Sequence, residues 1–245
     1  MEARERLIVA LDVETIERAQ SLVEELRGHV GTFKIGLELF CHYGPPVVSI
    51  IRDRGARVFL DLKFHDIPRT AAQAARAAVR MGASLLTVHV AGGREMLRSV
   101  AEAVQEDAGS GEIPKVLGVT VLTSLGAEQL KDDLGIARSP RDQVLFWVEV
   151  AQSCGLSGVV ASAHEVAAIR AQCDPNFLIV TPGIRPAGSE TDDQKRVGTP
   201  GEALRSGADY LVVGRPILQA QDPRQAAAAL IQEMKEVLEC RNKNC

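Results

Sequence analysis

The sequence predicts an α/β fold in which eight strand–helix units close a parallel sheet into a barrel, and three observations carry that prediction. Short apolar runs alternate with longer stretches of helical spacing along the whole chain. No composition break or linker divides the 245 residues, and single barrels of this kind commonly run to about 250 residues. Polar and charged residues recur at the C-terminal ends of the apolar runs, where such barrels build their sites. An open doubly wound sheet fits less well, because no Gly-x-Gly-x-x-Gly follows the first run. The expected architecture is therefore a one-domain (β/α)8, or TIM, barrel over residues 1–245.

Each unit has its own signal. Leu7-Ile8-Val9-Ala10-Leu11 reads as a buried strand ending in Asp12. Ile16, Ala19, Leu22, Val23 and Leu26 then recur with helical spacing, and Gly28 stops them. A second strand over 30–35 delivers Lys34, and the helical stretch over 37–55 is interrupted at Gly44-Pro45-Pro46. The third strand, Val58-Phe59-Leu60-Asp61-Leu62-Lys63, ends before Ile67-Pro68, because proline cannot continue the ladder. An Ala-rich helix over 69–81 and a strand over 85–90 follow, then a helix over 93–106 and a polar linker over 107–112. The fifth strand is expected over 115–122, with Thr123 and Ser124 at its end. Two helices share the next connection, one over 126–134 and one opened by Ser139-Pro140 that runs to Cys154. A strand over 158–162, a helix over 164–173 and a strand over 177–181 complete units six and seven. Thr199-Pro200-Gly201-Glu202 is a capping box for a short helix. Tyr210-Leu211-Val212-Val213 is the eighth strand, and Asp222-Pro223 caps a last helix that gives way to a frayed tail over 241–245.

Composition excludes several classes of partner. Net charge is −4 with no basic run, and aromatic content is 4%, so neither duplex nor single-stranded nucleic acid is an expected partner. No apolar run reaches the roughly 18 residues of a membrane span, and the charged start Met1-Glu2-Ala3-Arg4-Glu5-Arg6 does not read as a signal peptide. The five cysteines, Cys41, Cys154, Cys173, Cys240 and Cys245, form no Cys-x-x-Cys pair. Reduced thiols in a cytoplasmic protein are expected, with neither a disulfide framework nor a structural zinc.

The chemistry concentrates in the third strand. Residues two apart on a strand share a face, so Asp61 and Lys63 project side by side, with Asp66 just beyond. Buried charge is costly unless paired. A structural ion pair is the bland reading, and the other strand ends outweigh it: Asp12, Lys34, Thr123, Thr181 and Gly214-Arg215 all converge on one mouth. Charges of alternating sign, Lys34 and Lys63 among Asp12, Asp61 and Asp66, can share one site. His89 at the end of the fourth strand reads as a core or supporting histidine, and His65 is given no chemistry. Val213-Gly214-Arg215-Pro216 reads as a phosphate site, with close backbone approach at the glycine, a helical first turn and a guanidinium fork. The Gly-punctuated loop over about 183–198 reads as a lid closing on a phosphorylated ligand, with Arg185 and Gln194 as contacts.

Four segments resemble the orotidine 5′-phosphate decarboxylase family, in its bacterial form. They are Ala10-Leu11-Asp12; Phe33-Lys34-Ile35-Gly36; Phe59-Leu60-Asp61-Leu62-Lys63-Phe64-His65-Asp66-Ile67-Pro68; and Thr181-Pro182-Gly183-Ile184-Arg185-Pro186 with Val213-Gly214-Arg215-Pro216. One departure is Arg69 before Thr70, where the family often carries Asn. The resemblance implies decarboxylation of orotidine monophosphate to uridine monophosphate, the last step of pyrimidine nucleotide synthesis, by a homodimer without metal or organic cofactor. It implies that Lys63 donates the proton, that Asp61 lies beside the departing carboxylate, and that Lys34 and Asp66 complete the array. By the same resemblance Asp66 and Thr70 reach into the partner's site and Asp12 binds the ribose. Thr123 lies near the pyrimidine, and Arg185, Gln194, Gly214 and Arg215 near the phosphate. Two other readings compete: a magnesium-dependent sugar-phosphate decarboxylase or aldolase on the same scaffold, and a non-catalytic nucleotide-binding barrel.

Overall fold

The computed structural model describes residues 2–186 and 198–242, with side chains through 240. Eight parallel strands form a closed barrel in sequence order, each paired with the next and the last with the first. They are β1 (Leu7–Ala10), β2 (Thr32–Ile35), β3 (Arg57–Phe64), β4 (Leu85–His89), β5 (Lys115–Val119), β6 (Gly158–Val160), β7 (Leu178–Thr181) and β8 (Tyr210–Val213). The helices are α1 (Ala3–Arg6), α2 (Ile16–Leu26), α3 (Leu37–Tyr43), α4 (Pro46–Arg52), α5 (Pro68–Met81), α6 (Gly93–Ala108), α7 (Pro140–Ser153), α8 (Val166–Gln172), α9 (Pro200–Ser206), α10 (Arg215–Leu218) and α11 (Pro223–Asn242). No described helix is long and apolar enough to cross a membrane. Cys41, Cys154, Cys173 and Cys240 are free thiols, and Cys245 lies outside the described residues.

Strand alternation sorts the core into two parts. Leu7, Val9, Phe33, Ile35, Val58, Leu60, Leu86 and Val88 face outward and pack under helix residues such as Leu22, Leu26, Ala75 and Val100. Ile8, Ala10, Phe59, Leu85, Leu117, Val180, Tyr210 and Val212 form a separate cluster inside the barrel. Both faces are apolar, which is why the strands read as continuous apolar runs. Filling the interior with side chains makes it a floor rather than a pore, so polar groups can gather only above it, at the C-terminal ends.

The expected elements differ from the observed ones in a few places. The charged residues before β1 form α1, whose start carries a reciprocal capping box between Glu2 and Glu5. β5 stops at Val119 rather than 122, so Val121, Leu122 and Thr123 leave the sheet and turn to the mouth. The stretch over 126–134 is a single wide turn of π type, Gln129–Asp133, not a regular helix. Ser139 caps α7 by accepting from the Asp142 N–H at 3.1 Å. The last helix continues to Asn242, into the stretch expected to fray. The remaining tail, 243–245, and most of the expected lid, 187–197, lie outside the described residues. The base of that loop is fixed: Ile184 bridges Gly198, with Arg185 N–H donating to the Gly198 carbonyl at 3.0 Å.

Candidate active site

β3 carries the charge cluster on a backbone that departs from a plain strand. Phe59 lies opposite Leu85 and Leu60 opposite Leu86, and pairing resumes at Phe64 opposite Val88. Asp61, Leu62 and Lys63 thus stand against one β4 residue, Thr87. The surplus forms a bulge in which Lys63 takes φ 52°, the one positive φ outside glycine among the described residues. Such backbone costs about 1–3 kcal/mol and gathers at functional sites. Asp61 and Lys63 do meet side by side, but a bulge brings them together, not simple alternation.

The array is built around Asp61. Its Oδ2 lies 3.0 Å from Lys63 Nζ and 3.7 Å from Lys34 Nζ, and Lys34 reaches Asp12 Oδ1 at 3.1 Å. Side-chain exposure climbs from 11% at Lys34 and 14% at Asp61 to 30% at Lys63 and 56% at Asp12. The inner pair is therefore sheltered, and Asp12 stands at the rim. Gly36 leaves the room for this: a Cβ there would crowd Lys34 Nζ at 3.1 Å and Asp12 Oδ1 at 3.3 Å. Burial alone would push the Asp61 carboxyl upward. The Lys34 and Lys63 ammonium groups, with hydrogen bonds from Lys63 and Thr87, more than offset it and hold the carboxyl below its ordinary value. Asp61 is thus a carboxylate, flanked by two cations.

A cavity of ≈ 510 Å³ opens over this array. Its floor is apolar, formed by Ala10, Phe59, Val119, Val160 and Val212. Asp12, Lys34, Asp61 and Lys63 line one side, and Pro182, Gly183, Arg185, Gly214 and Arg215 another, with Thr123 from the loop after β5. Arg185 is buried. Gly214 is the N-cap of α10, and its carbonyl accepts from the N–H groups of Ile217 and Leu218. The same cavity is lined by Ser162 and Gln219, which sequence reasoning passed over. Ser162 ends a strand-like run, and that position could have marked it. Gln219 follows the Gly-Arg-Pro turn and gave no separate signal.

Other expected residues stand apart from the cluster. Asp66 is exposed, and its carboxylate accepts from the Ile67 N–H at 2.7 Å. Thr70 is exposed in the first turn of α5, as is Arg69. Gln194 lies outside the described residues. Thr181 is buried and does not line the cavity; among the described residues its hydroxyl has no hydrogen-bond partner. His89 packs beside His65, ring centroids 5.4 Å apart. Burial, then the nearby His65 and Lys63, pushes the His89 imidazole below its ordinary value, which suits a neutral supporting side chain. Among the described residues no group of three or more His, Cys, Asp or Glu gathers to hold a metal ion.

Known proteins resemble this chain along nearly its whole length. The family model described as "Orotidine 5′-phosphate decarboxylase / HUMPS family" matches residues 5–230. A protein named orotidine 5′-phosphate decarboxylase from Syntrophomonas wolfei is 52% identical over 239 residues, covering 96% of this chain and 100% of that protein. One of the same name from Moorella thermoacetica is also 52% identical, covering 97% and 95%. The crystal structure of orotidine 5′-phosphate decarboxylase from Lactobacillus acidophilus superposes with a TM-score of 0.84 at 35% identity, covering 94% of this chain and 99% of that one. With a match this long and relatives this similar, the chain belongs to the orotidine 5′-phosphate decarboxylase / HUMPS family.

Proposed function

We propose that the chain decarboxylates orotidine 5′-monophosphate to uridine 5′-monophosphate, with Lys63 as proton donor. The observation that carries this reading is the Lys34–Asp61–Lys63 array over an apolar floor, in one cavity with Arg215 and Gly214. The names of the relatives support the same substrate.

The chemistry follows from the charges. When the carboxylate leaves as CO₂, the C–C bond breaks and its electron pair stays on a ring carbon with little delocalisation. The reaction needs a positive group at that carbon. The Lys63 ammonium, fixed by Asp61, stabilises the pair and transfers a proton to the same atom. No electron sink beyond the protein is required for this balance. Asp61 lies beside the substrate carboxylate and favours its departure. Lys34 and Asp12 bind the ribose hydroxyls, and Thr123 the pyrimidine. Arg215, Arg185, Gln194 and the backbone at Gly214 hold the phosphate, so binding energy far from the reacting carbon positions the ring. The loop over 183–198 is the lid of this phosphate site.

The active form in this reading is a cytoplasmic homodimer in which Asp66 and Thr70 complete the partner's site. Their exposure supports it, as does Ile67 between them, 68% exposed. The test is the ultraviolet absorbance of orotidine monophosphate with purified protein, with and without a chelator. Loss of substrate that ignores the chelator is expected. Loss that stops with the chelator would transfer the chain to a magnesium-dependent reaction, and no turnover would leave a binding barrel.

A further inference from the structure

Thr87 is the β4 residue that faces the β3 bulge, and the array depends on what its side chain does there. Leu85 belongs to the interior cluster and Leu86 and Val88 to the outer one, so alternation turns Thr87 inward. It is fully buried. Its hydroxyl donates to Asp61 Oδ1 at 2.9 Å and accepts the Lys63 N–H at 2.9 Å. A hydroxyl has one hydrogen to donate, and here the carboxylate takes it.

We infer that Thr87 is a positioning residue for the reaction proposed above, on which this inference rests: its hydroxyl replaces a ladder partner at the bulge and fixes which oxygen of Asp61 faces the two ammonium groups. With Oδ1 engaged by Thr87, Oδ2 is left to Lys63 at 3.0 Å and Lys34 at 3.7 Å. The same hydroxyl holds the N–H of the residue whose φ is 52°. One side chain therefore sets both the carboxylate rotamer and the backbone from which the proton donor projects. Neither is set by β3 alone, because three of its residues face one of β4.

A second consequence concerns protonation. Burial, the largest influence on Asp61, opposes its charged form, and the Thr87 hydrogen bond is one of the groups that offset it. The other groups facing Asp61 are Lys34 from β2 with Asp12 behind it, Lys63 on β3, and His89 on β4 beside His65. All remain when the hydroxyl is removed. Loss of the hydroxyl alone then moves the Asp61 carboxyl upward.

The experiment compares wild type with Thr87→Val, which keeps the shape without the hydroxyl, and Thr87→Ser, which keeps the hydroxyl. Initial rates on orotidine monophosphate across pH and the thermal midpoint are measured for each. Thr87→Val is expected to lower kcat on the order of 10–100-fold, the scale of a small misplacement of a reacting group, with KM changed less. The acid limb of its kcat/KM profile moves to higher pH, and Thr87→Ser restores most of the rate. Unchanged kcat and acid limb in Thr87→Val overturn the inference, as does a lower thermal midpoint with both kinetic readouts intact. Thr87→Ser as impaired as Thr87→Val also overturns it. Should Thr87→Val not fold, Thr87→Ala is read by the same criteria. Wild type inactive on orotidine monophosphate would instead overturn the reaction on which the inference rests.

Discussion

At the scale of the residue, two charged groups can be tested apart from each other. Asp61 has its folded pKa below the ordinary 3.8, so its ionised form stabilises the fold above that value. The contribution is lost as the pH falls through the lower, folded pKa. Asp61→Ala leaves the Lys63 ammonium without its carboxylate and Lys34 with Asp12 alone, and should cost on the order of 3 kcal/mol at neutral pH. Denaturant unfolding should show the gap to wild type narrowing as the pH drops below 3.8, and a gap independent of pH would contradict the assignment. Arg215→Ala should act on capture. A charge-assisted hydrogen bond contributes about 1.5–3 kcal/mol, so KM for the nucleotide should rise on the order of 10–100-fold. The rate on phosphate-free orotidine should stay the same; an equal loss on both substrates would remove Arg215 from the phosphate. Lys34, Asp61 and Lys63 were legible in the sequence because charge inside an apolar run is costly and has to be explained. Thr87 was not, because threonine is an ordinary strand former and only the register shows which way it points.

At the scale of the element, the β3 bulge was the part the sequence concealed. A period of two led to the same neighbours, Asp61 and Lys63, by a simpler path, and nothing in the residues marks the surplus against β4. The connection after β5 was also misread. Leu130 is buried alone in its turn, too little apolar face to hold a regular helix. Caps were legible, because their chemistry is local. Thr199 and Glu202 exchange hydrogen bonds at the start of α9. Thr199→Ala should cost about 1 kcal/mol and lower the thermal midpoint by about 2–4 °C, with kcat unchanged. A fall in kcat at temperatures where the variant is folded would tie this cap to the chemistry. Gly158 has a stricter role: a Cβ there would collide with the Leu178 carbonyl of the neighbouring strand, so Gly158→Val should prevent normal closure between β6 and β7, read as loss of soluble, cooperatively unfolding protein.

At the scale of the whole molecule, closure of the barrel followed from the repeat of strand and helix, since eight units that must bury both strand faces have few other solutions. Asp66 and Thr70 stand exposed at the rim beyond β3, and the proposed function gives them to the partner's site. If they serve the partner's site, mixing Lys63→Ala with Asp66→Asn under conditions of subunit exchange should regain activity that neither variant has alone. No regain in a verified hybrid dimer would confine each site to its own chain. The array, the cavity and the phosphate end come together in the claim that Lys63 gives the proton to the ring carbon. The most direct measurement is turnover of orotidine monophosphate by Lys63→Ala, beside its affinity for uridine monophosphate. Decarboxylation is expected to be lost with nucleotide binding retained, whereas near-normal turnover in that variant would remove Lys63 from the proton transfer.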